Sequence, residues 1–285
     1  MYPEPALSRG ALLAGAAELL AASGAADPRR EAFRLWSDLA GGDAAGAVVH
    51  PEAPVEARLA GRVLAAAARR ARGEPLAHVT GRIGFRRLVL RSDHRALIPR
   101  PETEGLVELL LRRVRHGRVA DLGTGTGAVA LSLAQEGGFE QVLAVDLSSA
   151  ALGLAAENRA LTGLDVGLVR GDLCQALAPA SLDALVANPP YLTRGEYAAL
   201  DPSVRDWEPA EALVSGADGL EATGRLLDEG RRVLRAGGWL AVEVDCTRAG
   251  ACVRRARALG WSEIAIHADL FGRERYLLAR RSPTP

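Results

Sequence analysis

The sequence predicts an α/β fold: a doubly wound sheet with helices on both faces, preceded by a small N-terminal helical domain joined to it by a β-hairpin. Three observations carry this. From about residue 101 onward, short apolar runs of strand length alternate with amphipathic runs of helix length, the pattern of a sheet built from βαβ units. Before residue 73 there is only helical periodicity, interrupted by helix breakers. Between these stretches the apolar residues fall into short extended runs among glycines. The expected domains are therefore 1–73 (helical), 74–100 (hairpin linker) and 101–285 (sheet domain).

A chain of 285 residues suits a main domain with a smaller attachment, and 48% hydrophobic with 25% charged residues is the balance of a globular protein. The 35 basic and 35 acidic residues cancel, so no global field recruits nucleic acid, and no stable nucleic-acid binding is expected. No apolar run is long enough to span a bilayer, and residues 1–10 lack the basic start and apolar middle of a secretory leader. A cytoplasmic chain with no membrane partner is expected. Cys174, Cys246 and Cys252 form no close CxxC pair and the five histidines show no ligand spacing, so reduced thiols and no metal are expected. Every basic residue other than histidine is arginine, and asparagine occurs only at Asn158 and Asn188. The surviving asparagines are therefore singled out.

In the N-terminal region helices are expected over 8–23, ending at Gly24, from Asp27-Pro28 onward, and from Pro54-Val55 onward. Asp27 is an N-cap with Pro28 at the first helical position, and Gly41 is a stop. Leu59, Val63 and Ala66 share one helical face. Across the linker, Val79, Ile83, Phe85, Leu88 and Leu90 read as extended chain. Pro101, with Glu102 and Glu104 in the first turn, opens the first helix of the sheet domain. Strands are then expected over 118–122, 142–145, 166–169, 182–187, 239–244, 264–267 and 276–279, with helices over 128–136, 149–161, 219–234 and 248–259. Ligands of such sheets bind at the carboxyl ends of the strands.

The first strand runs into Asp121-Leu122-Gly123-Thr124-Gly125-Thr126-Gly127, which opens a helix. Absent side chains there let a ligand approach the backbone closely. Gly123, Gly125 and Ala128 also satisfy the dinucleotide pattern G-x-G-x-x-[GA]. Asp146, about 20 residues further on, can accept from ribose hydroxyls under either reading. Asp121 separates them, since a carboxylate before the turn suits the ammonium of a methionine moiety and repels a pyrophosphate. Asp172, followed by Leu173, stands after the third strand, where a carboxylate can take an adenine amine and an apolar neighbour can pack on the ring; a plain loop aspartate is the even alternative.

The strand over 182–187 ends at Asn188-Pro189-Pro190-Tyr191, where two prolines stop the sheet and stiffen the backbone into a ledge. A planar NH2 group can donate to the Asn188 oxygen and to a proline carbonyl, with Tyr191 as a stacking face. Transfer of a methyl group from a sulfonium to nitrogen needs mainly aim, with acceptors ready as positive charge develops.

These two motifs, in this order, resemble class I (Rossmann-like) methyltransferases that modify planar amines or amides, a group that includes DNA adenine N6 methyltransferases. With Gly73-Glu74-Pro75-Leu76, Leu97-Ile98-Pro99-Arg100-Pro101-Glu102-Thr103-Glu104, Arg205-Asp206-Trp207-Glu208-Pro209 and Phe271-Gly272-Arg273-Glu274-Arg275, the chain from about Gly73 to its end looks like the release factor glutamine methyltransferases. The resemblance implies S-adenosylmethionine as cofactor and, as substrate, the glutamine amide nitrogen (N5) in the Gly-Gly-Gln motif of a peptide chain release factor. It implies cofactor contacts from Gly123, Thr124, Gly125, Thr126, Gly127, Asp146 and Asn188, with Asp172 and Leu173 near the adenine, alongside the Asp121 contact argued above. Asn188, Pro189, Pro190 and Tyr191 would hold the glutamine, the N-terminal helices would help grip the factor, and the chain is expected to act as a monomer. An adenine N6 or guanine N2 methyltransferase of DNA or RNA is the alternative. Two departures are visible: before Gly73 only the helical character matches, and Glu243-Val244-Asp245-Cys246 stands where the family usually has a glutamate followed by glycine.

Other features have plainer readings. Arg100 and Glu102 are placed to line the active site or to form an interdomain ion pair. Arg69, Arg70 and Arg72 read as a solvated helix face, with a docking patch as the alternative. Trp207, Trp239 and Trp261 read as packing residues.

Overall fold

The computed structural model describes residues 7–41 and 44–283. Residues 1–6, part of the segment on which the leader expectation rests, lie outside the described residues. The chain divides into two units, Met1–Arg82 with Pro202–Trp207, and Ile83–Asp201 with Glu208–Pro285.

In the first unit the helices are α1 (Arg9–Ala22), α2 (Pro28–Leu39), α3 (Ala44–Val49), α4 (Ala57–Ala71) and α5 (Leu76–Thr80). Ser8 and Asp27 cap the first two by accepting from the backbone N–H groups of Ala11 (3.2 Å) and Arg30 (3.1 Å). Leu12, Leu20, Leu35, Trp36, Val63 and Ala67 form the core. Two helices depart from the sequence reading. The segment 44–49 is helical, and Val79, expected in extended chain, lies in α5, because Pro75 opens a turn that Gly81 closes at φ 70°. The arginine run is not a free solvated face: Arg69 pairs with Glu74, and Arg70 with Glu31 at 2.7 Å.

In the second unit, β1 (Arg82–Phe85) and β2 (Leu88–Arg91) form the expected hairpin. Arg86 at its turn bonds Glu136 (2.6 Å) and Glu108 (3.1 Å), fastening the hairpin to α6 (Pro101–Leu111) and the helix beyond the first sheet strand. The rest follows as β3 (Arg118–Leu122), α7 (Ala128–Glu136), β4 (Gln141–Asp146), α8 (Ser149–Thr162), β5 (Gly167–Arg170), β6 (Leu182–Ala187) and α9 (Arg194–Ala198). Then come α10 (Pro202–Arg205), which clusters with the first unit, a 3₁₀ turn (Ala210–Ala212), α11 (Glu221–Val233), β7 (Leu234–Glu243), α12 (Ala249–Ala258), β8 (Trp261–Ala268) and β9 (Glu274–Arg281).

The sheet order is β5-β4-β3-β6-β7-β9-β8, with the first five strands parallel and β9 antiparallel to both neighbours. Alternation along the strands sends Val119, Ala184 and Val186 toward α6 and α7, and Ala120, Leu185 and Val242 toward α11 and α12. β7 begins five residues earlier than the apolar run suggests: Leu234 pairs with Leu182, and the register then shifts before Ala184 meets Trp239. Gly237, at φ 78°, supplies the irregularity.

Candidate active site

β3 has β4 on one side and β6 on the other, so connections leave it in opposite directions and the carboxyl ends of β3 and β6 face a crevice. Register makes the ends level. Leu122 pairs with Val145 and Ala187, and Ala187 pairs with Val242, so the residues following these strands emerge along one edge. A cavity of about 600 Å³ opens there, lined entirely by the second unit.

The glycine turn forms its floor. Gly123, Gly125 and Gly127 have φ of 72°, 55° and 83°, where side chains are strained. A Cβ at Gly123 would stand in open space, whereas one at Gly127 would come within 3.3 Å of the Ala155 Cβ. The turn is tied down by Asn158 of α8, whose NH2 donates to the Thr126 carbonyl (2.9 Å) and the Arg91 carbonyl (3.1 Å) while its oxygen accepts the Arg91 N–H (2.7 Å).

Four carboxylates line the cavity, Glu211 at its 3₁₀ turn and three at the strand ends. Asp121 is buried, with Oδ2 accepting from the Thr124 hydroxyl (2.6 Å) and the Ala130 N–H (3.2 Å). Loss of water around it pushes its carboxyl up to about 7 against those two bonds, with the Asp146 charge adding to the rise. A cation entering the cavity restores the charged form. Asp146 accepts from the Gly125 and Ser148 N–H groups, both at 2.9 Å, and burial raises it as well. With the Leu147 N–H also acting on it, three backbone donors meet its four lone-pair sites and at least one stays open. Asp172 is paired with Arg225 (2.9 Å) beside Leu173, and all three line the cavity.

Asn188 and Pro190, which follow β6, also line the cavity. The chain beyond is held where the Leu192 N–H donates to the Leu213 carbonyl (2.9 Å) and the Ser215 N–H to the Leu192 carbonyl (2.8 Å). Gly219 allows this packing, since a Cβ there would run into the Tyr191 carbonyl oxygen. The Asn188 NH2 donates to the Thr103 hydroxyl (3.0 Å), which donates to Glu243 Oε2 (2.8 Å). Thr103 and Glu243 are buried.

Thus Asp121, Gly123, Thr124, Gly125, Thr126, Asp146, Asp172, Leu173, Asn188 and Pro190 meet around one cavity, while Gly127, Pro189 and Tyr191 are not on its wall. Gly127 acts instead at the start of α7, and Pro189 is buried. Burial raises the Tyr191 hydroxyl to about 12, so it stays neutral. Arg100 lines the cavity and pairs with Glu208 (2.6 Å) of the same unit, so the interdomain alternative is set aside. Glu208 also accepts the Ile98 N–H (2.9 Å), and the Glu102 carbonyl accepts from the Tyr276 hydroxyl (2.5 Å). Sequence reasoning missed Thr103, Glu208, Arg225 and the role of Glu243. The segments that carried the resemblance hold Thr103 and Glu208, and Glu243 heads the stretch that departs from the family pattern.

Trp207 packs at Gly73 in the first unit, Trp261 is buried, and Trp239 lies under Arg113 and Arg280. All three cysteines are free, and burial pushes Cys174 and Cys252 up to about 12 and 11, leaving unreactive thiols. Among the described residues no group of His, Cys, Asp or Glu is arranged to hold a metal ion, and no helix is long and apolar enough to cross a membrane.

Comparison with known proteins gives concordant matches. Residues 101–202 fit the family model of the methyltransferase small domain, and residues 11–81 that of the PrmC N-terminal domain. A release factor glutamine methyltransferase of Deinococcus radiodurans is 45% identical over 217 residues, covering 75% of this chain and 77% of the relative. One from Cereibacter sphaeroides is 38% identical over 269 residues, 94% of this chain and 96% of the relative. A Pyrococcus furiosus methyltransferase crystal structure superposes with a TM-score of 0.52 at 19% identity, over 68% of this chain and 88% of that one, a likeness of fold.

Proposed function

The chain belongs to the family of release factor glutamine methyltransferases, and on that premise we propose that it transfers a methyl group from S-adenosylmethionine to the side-chain amide nitrogen (N5) of the glutamine in the Gly-Gly-Gln motif of peptide chain release factors. One observation carries the reading: Asn188 stands on the cavity wall with its NH2 engaged by Thr103, so its Oδ1 is the atom left to accept from an incoming amide.

The cavity suits the cofactor. The open space at Gly123 admits a ligand against the backbone, buried Asp121 answers an ammonium, Asp146 keeps an open lone pair for a ribose hydroxyl, and Asp172 with Leu173 meets an adenine edge and face. S-adenosylmethionine, when bound, supplies a methyl group made electrophilic by its sulfonium. Asn188 Oδ1 and a proline carbonyl of the ledge accept the two amide N–H groups of the glutamine, aiming the nitrogen and stabilising positive charge as it develops there. Rigid prolines keep those acceptors fixed.

The chain acts in the cytoplasm as a monomer on a protein substrate, with the helical region 1–73 helping to grip the release factor. Incubation with methyl-labelled S-adenosylmethionine and, separately, release factor, DNA and RNA tests this. Label is expected on the glutamine of the Gly-Gly-Gln motif, located by mass mapping. Label only in nucleic acid would overturn the reading in favour of adenine N6 or guanine N2 methylation.

A further inference from the structure

We propose that Thr103 and Glu243 are positioning residues that fix which way the Asn188 amide faces, and thereby present an acceptor to the substrate. The inference rests on the glutamine-methylating reading above and names what orients its central residue.

The three side chains come from separate elements. Asn188 follows β6, Thr103 sits in the first turn of α6, and Glu243 ends β7, where it is paired with Tyr276 of β9. Because Ala187 and Val242 are partners, Asn188 and Glu243 leave adjacent strands at the same level. Thr103 bridges them. The bonds run from Asn188 to Thr103 at 3.0 Å and from Thr103 to Glu243 at 2.8 Å. Thr103 is 4% exposed and Glu243 2%, so water does not compete for these bonds.

A hydroxyl has one proton to give, and an ionised carboxylate can only accept. With its proton committed to Glu243, Thr103 can only accept from Asn188, which places the asparagine NH2 toward Thr103 and Oδ1 away from it. A flipped amide would set its oxygen against an oxygen without a proton to offer, in a buried place where an unmade hydrogen bond is costly. An isolated asparagine carries no such preference. The ledge is therefore an acceptor because Glu243 is charged.

Protonation of Glu243 removes the constraint. A carboxylic acid can donate to Thr103, the threonine proton is then free for the Asn188 oxygen, and the NH2 turns toward the cavity, where it meets the NH2 of the substrate. The groups facing Glu243 are Thr103, Glu102 and Arg100 from the α6 segment, Arg275 and Tyr276 from β9, and Tyr191 from the ledge. Burial lifts Glu243 to about 7; Arg275, Arg100 and the Thr103 bond hold it down, and Glu102 pushes it up. Both tyrosines are raised to about 12 and stay neutral. What fixes the acceptor orientation is thus present while Glu243 is charged and is removed as it takes up a proton, which burial brings up toward neutral pH.

The test is release-factor methylation by the full-length chain, with cofactor saturating at every pH, for the wild type, Thr103→Val, Thr103→Ser and Glu243→Gln. Wild-type kcat/KM for the factor is expected to fall below about pH 7, approaching tenfold per pH unit as one required carboxylate is protonated. Thr103→Val is expected to lower kcat about 10- to 100-fold with cofactor Kd nearly unchanged, and Thr103→Ser, which restores the hydroxyl, to recover most of it. Glu243→Gln keeps the shape without titrating and is expected to lose the acid limb. Wild-type kcat in Thr103→Val, or an unaltered acid limb in Glu243→Gln, overturns the proposal. Should Thr103→Val fail to fold, the Glu243→Gln profile decides alone. A wild type that methylates no release factor overturns the functional reading and this inference with it, whereas an active wild type with indifferent variants overturns the inference only.

Discussion

Asn158 and Asn188 are the chain's two asparagines, and their surroundings assign them different work. Asn158 is fully buried and makes three bonds to backbone groups of Arg91 and Thr126, joining hairpin strand, glycine turn and α8. Removing its amide strands the buried Thr126 carbonyl and breaks two part-buried bonds to the Arg91 backbone. Asn158→Ala is therefore expected to cost about 2–4 kcal/mol in denaturant unfolding, each orphaned group contributing about 1 kcal/mol or more. Asn188 makes one side-chain bond and borders the cavity. Asn188→Ala is expected to lower kcat/KM about 10²- to 10³-fold while unfolding shifts by less than about 1 kcal/mol. A large stability loss in Asn188→Ala, or an active variant, would contradict this division. Scarcity of asparagine drew notice to both positions in the sequence. It could not say which was structural, because Arg91 and Thr126 reach Asn158 only through the fold. The link of Thr103 and Glu243 to Asn188 was hidden for the same reason, since they lie on a helix and a strand far from Asn188 along the chain.

Elements long enough to repeat their period were legible, with the strand over 118–122, the strand over 182–187 and the helix over 128–136 found at those bounds. Continuous apolar runs, stopped by glycines or prolines, mark such buried pieces clearly. The helices α3, α5, α9 and α10 have four to six residues and complete too few turns to show a period; Gly81 closes α5 and a capping box opens α9. In α9, Thr193 accepts the Glu196 N–H at 3.2 Å while Glu196 accepts the Thr193 N–H at 2.8 Å. The glycine turn was legible as a motif, yet its three glycines differ in what they tolerate. Gly127 combines φ 83° with Ala155 crowding the missing Cβ and α7 beginning at the next residue. Gly127→Ala is expected to cost about 1–2 kcal/mol for the left-handed conformation alone. As the left-handed strain and the contact with Ala155 both load the turn, cofactor Kd should rise about tenfold or more, for a loss of at least 1.4 kcal/mol of binding. Calorimetric titration checks this; an unchanged Kd would mean the turn does not seat the cofactor.

Each unit of the molecule has its own core. Leu12, Leu35 and Val63 centre the first, the two sheet faces centre the second, and no buried residue is shared between these clusters. Every residue lining the large cavity belongs to the second unit. A ligand that binds a folded state stabilises the unit containing its site by RT ln(1 + [L]/Kd), about 2.7 kcal/mol at a hundredfold excess over Kd. For a unit of this size that is a rise of about 5–10 °C in midpoint temperature. Scanning calorimetry of the intact chain is therefore expected to resolve two transitions, of which saturating S-adenosylmethionine raises only the one that reports the sheet. Circular dichroism separates them, since loss of the first unit removes helix alone. If both transitions moved by the same amount, or only one were seen with and without cofactor, folding of the helices would be coupled to the cavity, and a grip on the release factor could then pass to the methyl-transfer site through stability.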